Sequence, residues 1–596
     1  MAQVNRSNQA RLVRIDRWLG LNENQDGETM LELGEASLMR NWRITREGSL
    51  QVRPGYAPVC TLAQGQPVGG LWTGWVGGVE YVMALCGGRV WAMTPGLEQW
   101  TARDLGPAAG EHAFFFGFAQ KVYLLTGAGY YCWDGEGEAI QTVEGYIPLV
   151  ASPTPPEGGG TLLEGVNLLT GKRRQRFSPD GTATVFQLSE TEIDQVLSVE
   201  GTDKTWTADT AKGTVTFEEA PAKGVDSVTI TWRKGEGDRS QVEGMKFAEF
   251  YNGQNDTRVF LYGDGTHTAI YSGLDENGVP SAEYFPALNS MAVDSANTPI
   301  TAMVRHYDRL ITFKTDGAFS TAYSTLTLDD GATAAAFYTA PLNREIGCAA
   351  PGQARLVDNN PRTLHGRSVY QWALATGAAR DERNAKRISD RVEQTLAGFD
   401  LAGCLTFDDN QRQEYYILWG DQALIHNYGN DAWYYYTHMP VRSMAAWGGE
   451  VYFGTGDGRI MHLSRAYRND DLAEIDAWWE SGAMDLGKDW KKKFSGVMWI
   501  ALKPENQTRV TVTAQSDVRS QYAQRMLVSG FATLVNVDFA HWSFGTNRKP
   551  RVRRVRIRVK GATYYKLIFS SRSASATATV LSATLQAMDT AKVRMR

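Results

Sequence analysis

The sequence predicts an all-β protein: a β-propeller of six to eight blades, interrupted by an inserted β-sandwich and followed by a C-terminal β-sandwich. Three observations predict it. The 596 residues include 60 Gly, 18 Trp, 25 Tyr and 22 Phe, a composition suited to short strands and tight turns. A unit of apolar strand, Gly-containing turn and second apolar strand recurs, as in "YVMALCGGRVWAM" from Tyr81, "VYLLTGAGYYCW" from Val122, "VFLYGDGTHTAIY" from Val259 and "VYFGTGDGRIMHL" from Val451. Asp-Gly pairs at 264–265, 316–317 and 457–458 supply hairpin turns, for which the positive-φ freedom of Gly is expected to be used.

Each element follows in chain order. Residues 1–60 read as an N-terminal arm and the first propeller strand, and residues 61–151 as the first propeller blades. The repeated turns fall near Gly88, Gly129, Gly265, Gly317, Gly377, Asp421 and Gly458. Most gaps are about 35 to 50 residues, one four-stranded blade each. The gap from Gly129 to Gly265 is too long for one blade. "SPTPPEGGG" at 152–160 is a linker by composition, and "TATVFQLSE", "GTVTFEEAP" and "DSVTITWRKG" alternate behind it, so residues 152–242 are expected to form the inserted β-sandwich. Blades resume over 243–471, with one short helix expected in "RISDRVEQTLAGF" at 387–399. Alternation in "SGVMWIALK", "TRVTVTAQS" and "VRRVRIRVK" places a basic C-terminal β-sandwich at 472–596.

Charge is unevenly distributed. Residues 541–596 hold 13 Lys and Arg against one acid, Asp589, while the whole chain carries −5. A basic end on an acidic body suits docking to an acidic surface, to a second copy, or to nucleic acid. The densest segment is "RVRRVRIRVK", Arg551 to Lys560. Arg554, Arg556, Arg558 and Lys560 share one parity, and Val555, Ile557 and Val559 the other. That period of two predicts a strand with one apolar and one cationic face. Arg551, Arg553, Arg554, Arg556, Arg558 and Lys560 are the candidate interface residues. DNA, an acidic protein and water are the three occupants to weigh. No aromatic alternates with the cations along this strand, as a single-strand platform would want. Closely spaced like charges repel, so carboxylates of a neighbouring subunit are the expected partner.

Catalytic, cofactor and metal residues are not expected. "GVNLLTGKR" from Gly165 misses the phosphate-loop spacing and has Arg173 where Ser or Thr belongs. "NENQDGETMLEL" from Asn22 resembles a calcium loop, but Leu33 stands at the bidentate-Glu position. The eight His are scattered and form no HExxH pair. The five cysteines are also scattered, which fits synthesis in a reducing cytoplasm. No stretch reads as a secretory signal or a membrane span.

"LGEASLMRNWRITREGSLQVRPGY", Leu33 to Tyr56, resembles the opening of bacteriophage structural proteins of the tail nozzle and packaged-DNA stabilisation group, the tail tubular protein B-like family. The matching positions are Gly34, Glu35, Ala36 and Asn41, then Arg46, Glu47 and Gly48, then Arg53, Pro54, Gly55 and Tyr56. The resemblance implies a virion tail protein, a homohexameric ring that extends the portal channel, retains packaged DNA and conducts it at ejection, without catalysis. It implies portal or head–tail adaptor proteins as partners, tail fibres beside them, and DNA passing through without sequence-specific binding. The alternative is a carbohydrate-binding or glycan-cleaving propeller that recognises a host receptor. A third reading is a cytoplasmic propeller scaffold.

Overall fold

The computed structural model describes residues 10–592 apart from 25–30, 97–99, 164–165, 254, 328–332, 374–383, 487–488, 506, 519–522 and 531–549. The protein is all-β, a β-propeller with an inserted β-sandwich and a C-terminal β-sandwich. It divides into two compact units, one of Met1–Pro67, Leu364–Gln371 and Lys386–Arg596, the other of Val68–Thr363 and Trp372–Ala385.

Seven four-stranded sheets among the described residues have the blade pattern, the first six with strands in sequential order. The first runs Val68–Val76, Val79–Cys86, Arg89–Thr94 and Thr101–Pro107. The second begins at Phe114, the third at Phe247, the fourth at Ile300 and the fifth at Arg355. The sixth spans Leu405–Asp409 to Ala432–Tyr436. The seventh takes three strands from Ser443 to Ser464 and its outer strand, Gly55–Thr61, from the start of the chain. That pairing is the device by which a propeller avoids an open end.

Turn chemistry follows expectation at Gly265 and Gly458, which have φ of +92° and +86°. It does not at Gly317, which is absent from the left-handed region although Asp316 precedes it. There a Cβ would meet the Asn343 carbonyl at 3.0 Å, so close approach of backbone, not φ, favours glycine. The turn expected near Gly377 lies outside the described residues. The segment 387–399 forms a 3₁₀ turn, Asp390–Val392, and one short helix, Glu393–Ala397.

The insertion in the second unit has a four-stranded and a three-stranded sheet. Its own core gathers Phe177, Phe186, Val215, Phe217, Ile230 and Trp232. Its stem packs elsewhere: Leu168, Leu169 and Val242 join a propeller core with Phe116, Tyr123 and Leu261. Buried Asn167 closes that stem. Its amide donates to the carbonyls of Tyr146 and Glu283, both at 2.8 Å, and its oxygen accepts the N–H of Leu169 at 3.1 Å and of Phe285 at 3.0 Å. The expected span 152–242 therefore mixes a self-contained sandwich with residues that belong to the propeller's packing.

The C-terminal sandwich is built from both ends of the chain. One six-stranded sheet joins Arg11–Ile15, Trp42–Ile44 and Leu50–Val52 to Lys491–Leu502, Arg551–Ala562 and Thr579–Lys592. The other joins Gly20–Leu21 and Glu35–Arg40 to Ile475–Ser481, Gln507–Ser516, Ala523–Gly530 and Tyr565–Ser573. Trp18 packs edge-on against Trp479, with ring centroids 4.8 Å apart, and against Phe569 at 5.6 Å. Among the described residues of 11–52, expected to be mainly an arm, the strands Arg11–Ile15, Gly20–Leu21, Glu35–Arg40, Trp42–Ile44 and Leu50–Val52 thus belong to the sandwich sheets.

Asn167→Ala removes the partner of the buried N–H groups of Leu169 and Phe285 and one donor from the carbonyls of Tyr146 and Glu283, the latter still accepting from the Tyr146 N–H. It is expected to destabilise the protein by about 2–4 kcal/mol, whereas Trp232→Ala should melt the inserted sandwich and spare the propeller transition. Chemical denaturation followed by tryptophan fluorescence distinguishes the two.

Candidate functional site

The basic strand forms as the alternation predicts. Arg551–Ala562 pairs antiparallel with Lys491–Leu502. Val555, Ile557 and Val559 are buried, while Arg554, Arg556, Arg558 and Lys560 are exposed. None of these four cations has a hydrogen-bonded or ion-paired partner among the described residues. The strand ends the described order of its sheet.

The six candidate residues do not form one surface. Arg551 and Arg553 have the parity of the buried valines and line a separate hollow of about 650 Å³ with Arg509, Met526 and Val528. The other four form the cationic face. The neighbouring strand adds what the sequence did not show: Trp499 lies opposite Arg554, Val497 opposite Arg556 and Phe494 opposite Lys560. Opposed residues of an antiparallel pair share a face. Aromatic rings therefore stand beside the cations across the ladder, although none alternates with them along it.

A second polar site lies in the first unit. It is a cavity of about 440 Å³ made by three turns, 45–48, 410–413 and 427–430, with Arg465 at its side. Arg43 is 3% exposed. Its Nη2 is 3.2 Å from Glu414 Oε1, and its Nε and Nη1 have no hydrogen-bond partner. Burial is the largest single influence and opposes the Arg43 charge, but Glu414 together with Tyr436, Tyr434 and Tyr416 holds the pKa above the ordinary value. Arg412 is fixed by Asp409 at 3.0 Å and Glu450 at 2.7 Å. Arg465 has its pKa lowered, first by desolvation and then by the charges of Arg43 and Arg412. Asn430 donates to the Thr45 carbonyl at 3.1 Å and so pins two of the turns together.

The motif of 33–56 is largely structural. A Cβ on Gly34, whose φ is +107°, would overlap the Arg17 carbonyl. Glu35 accepts from Asn22 at 3.0 Å and from the Glu32 N–H at 2.9 Å. Arg53 is fully buried and pairs with Asp470 through Nη1 at 2.8 Å and Nη2 at 2.5 Å. Arg46 and Glu47 differ: they stand at the wall of the arginine cavity.

No group of three or more His, Cys, Asp or Glu among the described residues is placed to hold a metal ion. The five cysteines are free thiols. No described helix is long and apolar enough to cross a membrane.

No protein-family model matches the chain, and no curated sequence is similar enough to count as a relative. Solved structures do match. A computationally designed protein, Ika8, is similar at 10% identity and TM-score 0.32, covering 68% of this chain and 99% of its own. An exo-β-1,3-galactanase from Phanerochaete chrysosporium, solved with galactose, is similar at 11% identity and TM-score 0.22, covering 90% of this chain and 100% of its own. A variant of that enzyme with β-1,3-galactotriose matches to the same extent. The expectation that this protein is not an enzyme is corrected here, because a glycan-cleaving enzyme stands among the structures it matches, and absence of catalysis is no longer concluded.

The two faces of the basic strand differ in what they contribute to stability. Ile557→Ala is expected to cost about 2–5 kcal/mol and Arg556→Ala less than about 0.5 kcal/mol, read from urea denaturation midpoints.

Proposed function

We propose that this protein is a structural propeller subunit of a bacteriophage tail, docking an acidic protein surface through its basic strand and closing into a ring, most simply a hexamer. The observation that carries the docking step is the exposed row Arg554, Arg556, Arg558 and Lys560, with no internal carboxylate paired to it among the described residues. Holding four like charges on one strand face is unfavourable, and carboxylates from a neighbour relieve it. The likeness of residues 33–56 to the tail nozzle group supplies the setting. In that setting portal or adaptor proteins and tail fibres are the neighbours, and DNA passes without being read.

A second reading, carbohydrate recognition, is favoured by a different observation: the arginine- and amide-lined cavity of the first unit. Its size falls in the usual range for small-ligand sites. The two readings are compatible on one particle, since docking and recognition use different surfaces.

Replacing Arg554, Arg556 and Arg558 by Gln tests the docking step. The expected outcome is an unchanged circular dichroism spectrum, loss of the ring in mass photometry, and little change in duplex DNA affinity at about 0.15 M salt. Intact assembly with a collapsed DNA affinity would make the strand a nucleic-acid site instead.

A further inference from the structure

We infer that the outer face of the sandwich sheet holding the basic strand is covered by a second copy of this chain, through the corner where the first two blade sheets of that copy meet; this deepens the docking reading and rests on it. The face is more than a row of charge. Arg554, Arg556 and Lys560 stand opposite Trp499, Val497 and Phe494, and those three apolar side chains are half-buried, not sealed in the core. On the next strand Thr584 and Met588 lie opposite Trp499 and Phe494 and continue the same side. Asp589, the one acid in these three strands, lies opposite Lys493 on the other parity and is held by Arg11 and Lys491, both at 3.6 Å. A face of cations flanked by aromatic rings calls for a partner that brings carboxylates together with an apolar anchor.

The second unit carries that combination. In the first blade Trp75 lies opposite Glu80, and Trp75 and Val79 are 65% and 47% exposed. In the second, "DGEGE" from Asp134 to Glu138 holds three exposed acids. The two turns touch: a Cβ on Gly77 would lie 2.8 Å from the Asp134 carbonyl oxygen, and one on Gly135 would lie 3.2 Å from that of Val76. Asp134 fixes its own turn by accepting the N–H groups of Glu136 and Gly137, both at 3.0 Å. Glu80, Glu136 and Glu138 have no ion pair among the described residues. The nearby cations do not cancel them. Arg89 pairs with Asp104, Lys121 pairs with Glu283, and Arg103 donates to the Gly137 carbonyl at 3.1 Å. The inserted sandwich is acidic too, but Glu190, Asp194, Glu219 and Glu236 are paired with Arg173, Arg233 and Lys204, and its described aromatic rings are buried or half-buried. The blade corner therefore matches the sandwich face in both charge and apolar content. Face and corner are different surfaces, so the contact is heterologous, the kind that closes rings.

The test is sedimentation velocity of the full chain at micromolar concentration, with folding checked by circular dichroism. Glu80→Lys/Glu136→Lys/Glu138→Lys reverses the corner, and Arg554→Glu/Arg556→Glu/Arg558→Glu reverses the face. Each variant alone is expected to associate at least about tenfold more weakly than the wild type, because like charges then meet. An equimolar mixture of the two is expected to regain the wild-type assembly, since every basic patch again meets an acidic one in a ring of alternating copies. Loss of assembly in both variants without rescue in the mixture would overturn the pairing of face with corner and leave acidic docking standing. Wild-type assembly of the corner variant, with loss in the face variant alone, would do the same and put the partner's acids elsewhere. Unchanged assembly in both variants, or a wild-type chain that stays monomeric, would overturn this contact and the docking reading together. Should the face variant fail to fold, the corner variant decides, because its changes are confined to exposed positions: loss of assembly supports the contact and wild-type assembly overturns it.

Discussion

One guanidinium organises the first unit. Arg53 Nε donates to Asn41 Oδ1 at 2.9 Å, Nη1 to the Pro54 carbonyl at 2.9 Å and Asp470 Oδ1 at 2.8 Å, and Nη2 to the Thr437 carbonyl at 2.9 Å and Asp470 Oδ2 at 2.5 Å. Every donor of the fork is used, which is the condition under which a buried charge is tolerated. The partners lie on three segments: the N-terminal strands, the end of the sixth sheet, and the passage from the seventh sheet into the sandwich. Asn41, at a φ of +58°, carries the network further, donating to Thr437 Oγ1 and the Asp476 carbonyl. Beside it Gly55, where any Cβ would overlap the Asn469 carbonyl, lets the outer strand of the seventh sheet begin. Burial raises the pKa of Asp470 even against the pull of Arg53, so desolvation is the larger influence on this carboxylate.

The same segment serves two purposes. From Trp42 the chain turns at 45–48, reaches Arg53 and enters the propeller. The anchored strands hold Arg43 against Glu414, and the turn between them carries Arg46 and Glu47 to the cavity wall. The arginine-lined cavity is thus positioned by the element that joins the chain's two ends. The basic strand is held differently, by an apolar face whose burial leaves the cations no direction but outward.

What the sequence made legible follows from range. Val555, Ile557 and Val559 could be assigned to the core because strand alternation is local, and the blade units could be seen because each is a run of neighbouring hairpins. Long-range pairing left no such trace. Arg53 and Asp470 stand 417 positions apart, and nothing in "RPGY" states that its arginine is buried. Residues 11–52 alternate too briefly to announce that they complete the sandwich sheets. Trp499 and Phe494 joined the cationic face only through register across the ladder. The arginine cavity was invisible for the same reason, being assembled from three turns. Its one sequence signal is the density of Arg, Asn and Gln in "DDNQRQE", which reads equally well as an ordinary polar turn.

The central claim is that the Arg53–Asp470 contact couples the chain's first strands to its last module. A double-mutant cycle with Arg53→Gln and Asp470→Asn, read by urea denaturation of the full chain, tests it most directly. Each single change should cost about 3–5 kcal/mol by stranding a buried partner. The double variant should be about 2–3 kcal/mol less destabilised than the sum of the two singles, a coupling of that size. Single changes costing less than about 1 kcal/mol and adding independently would contradict the account.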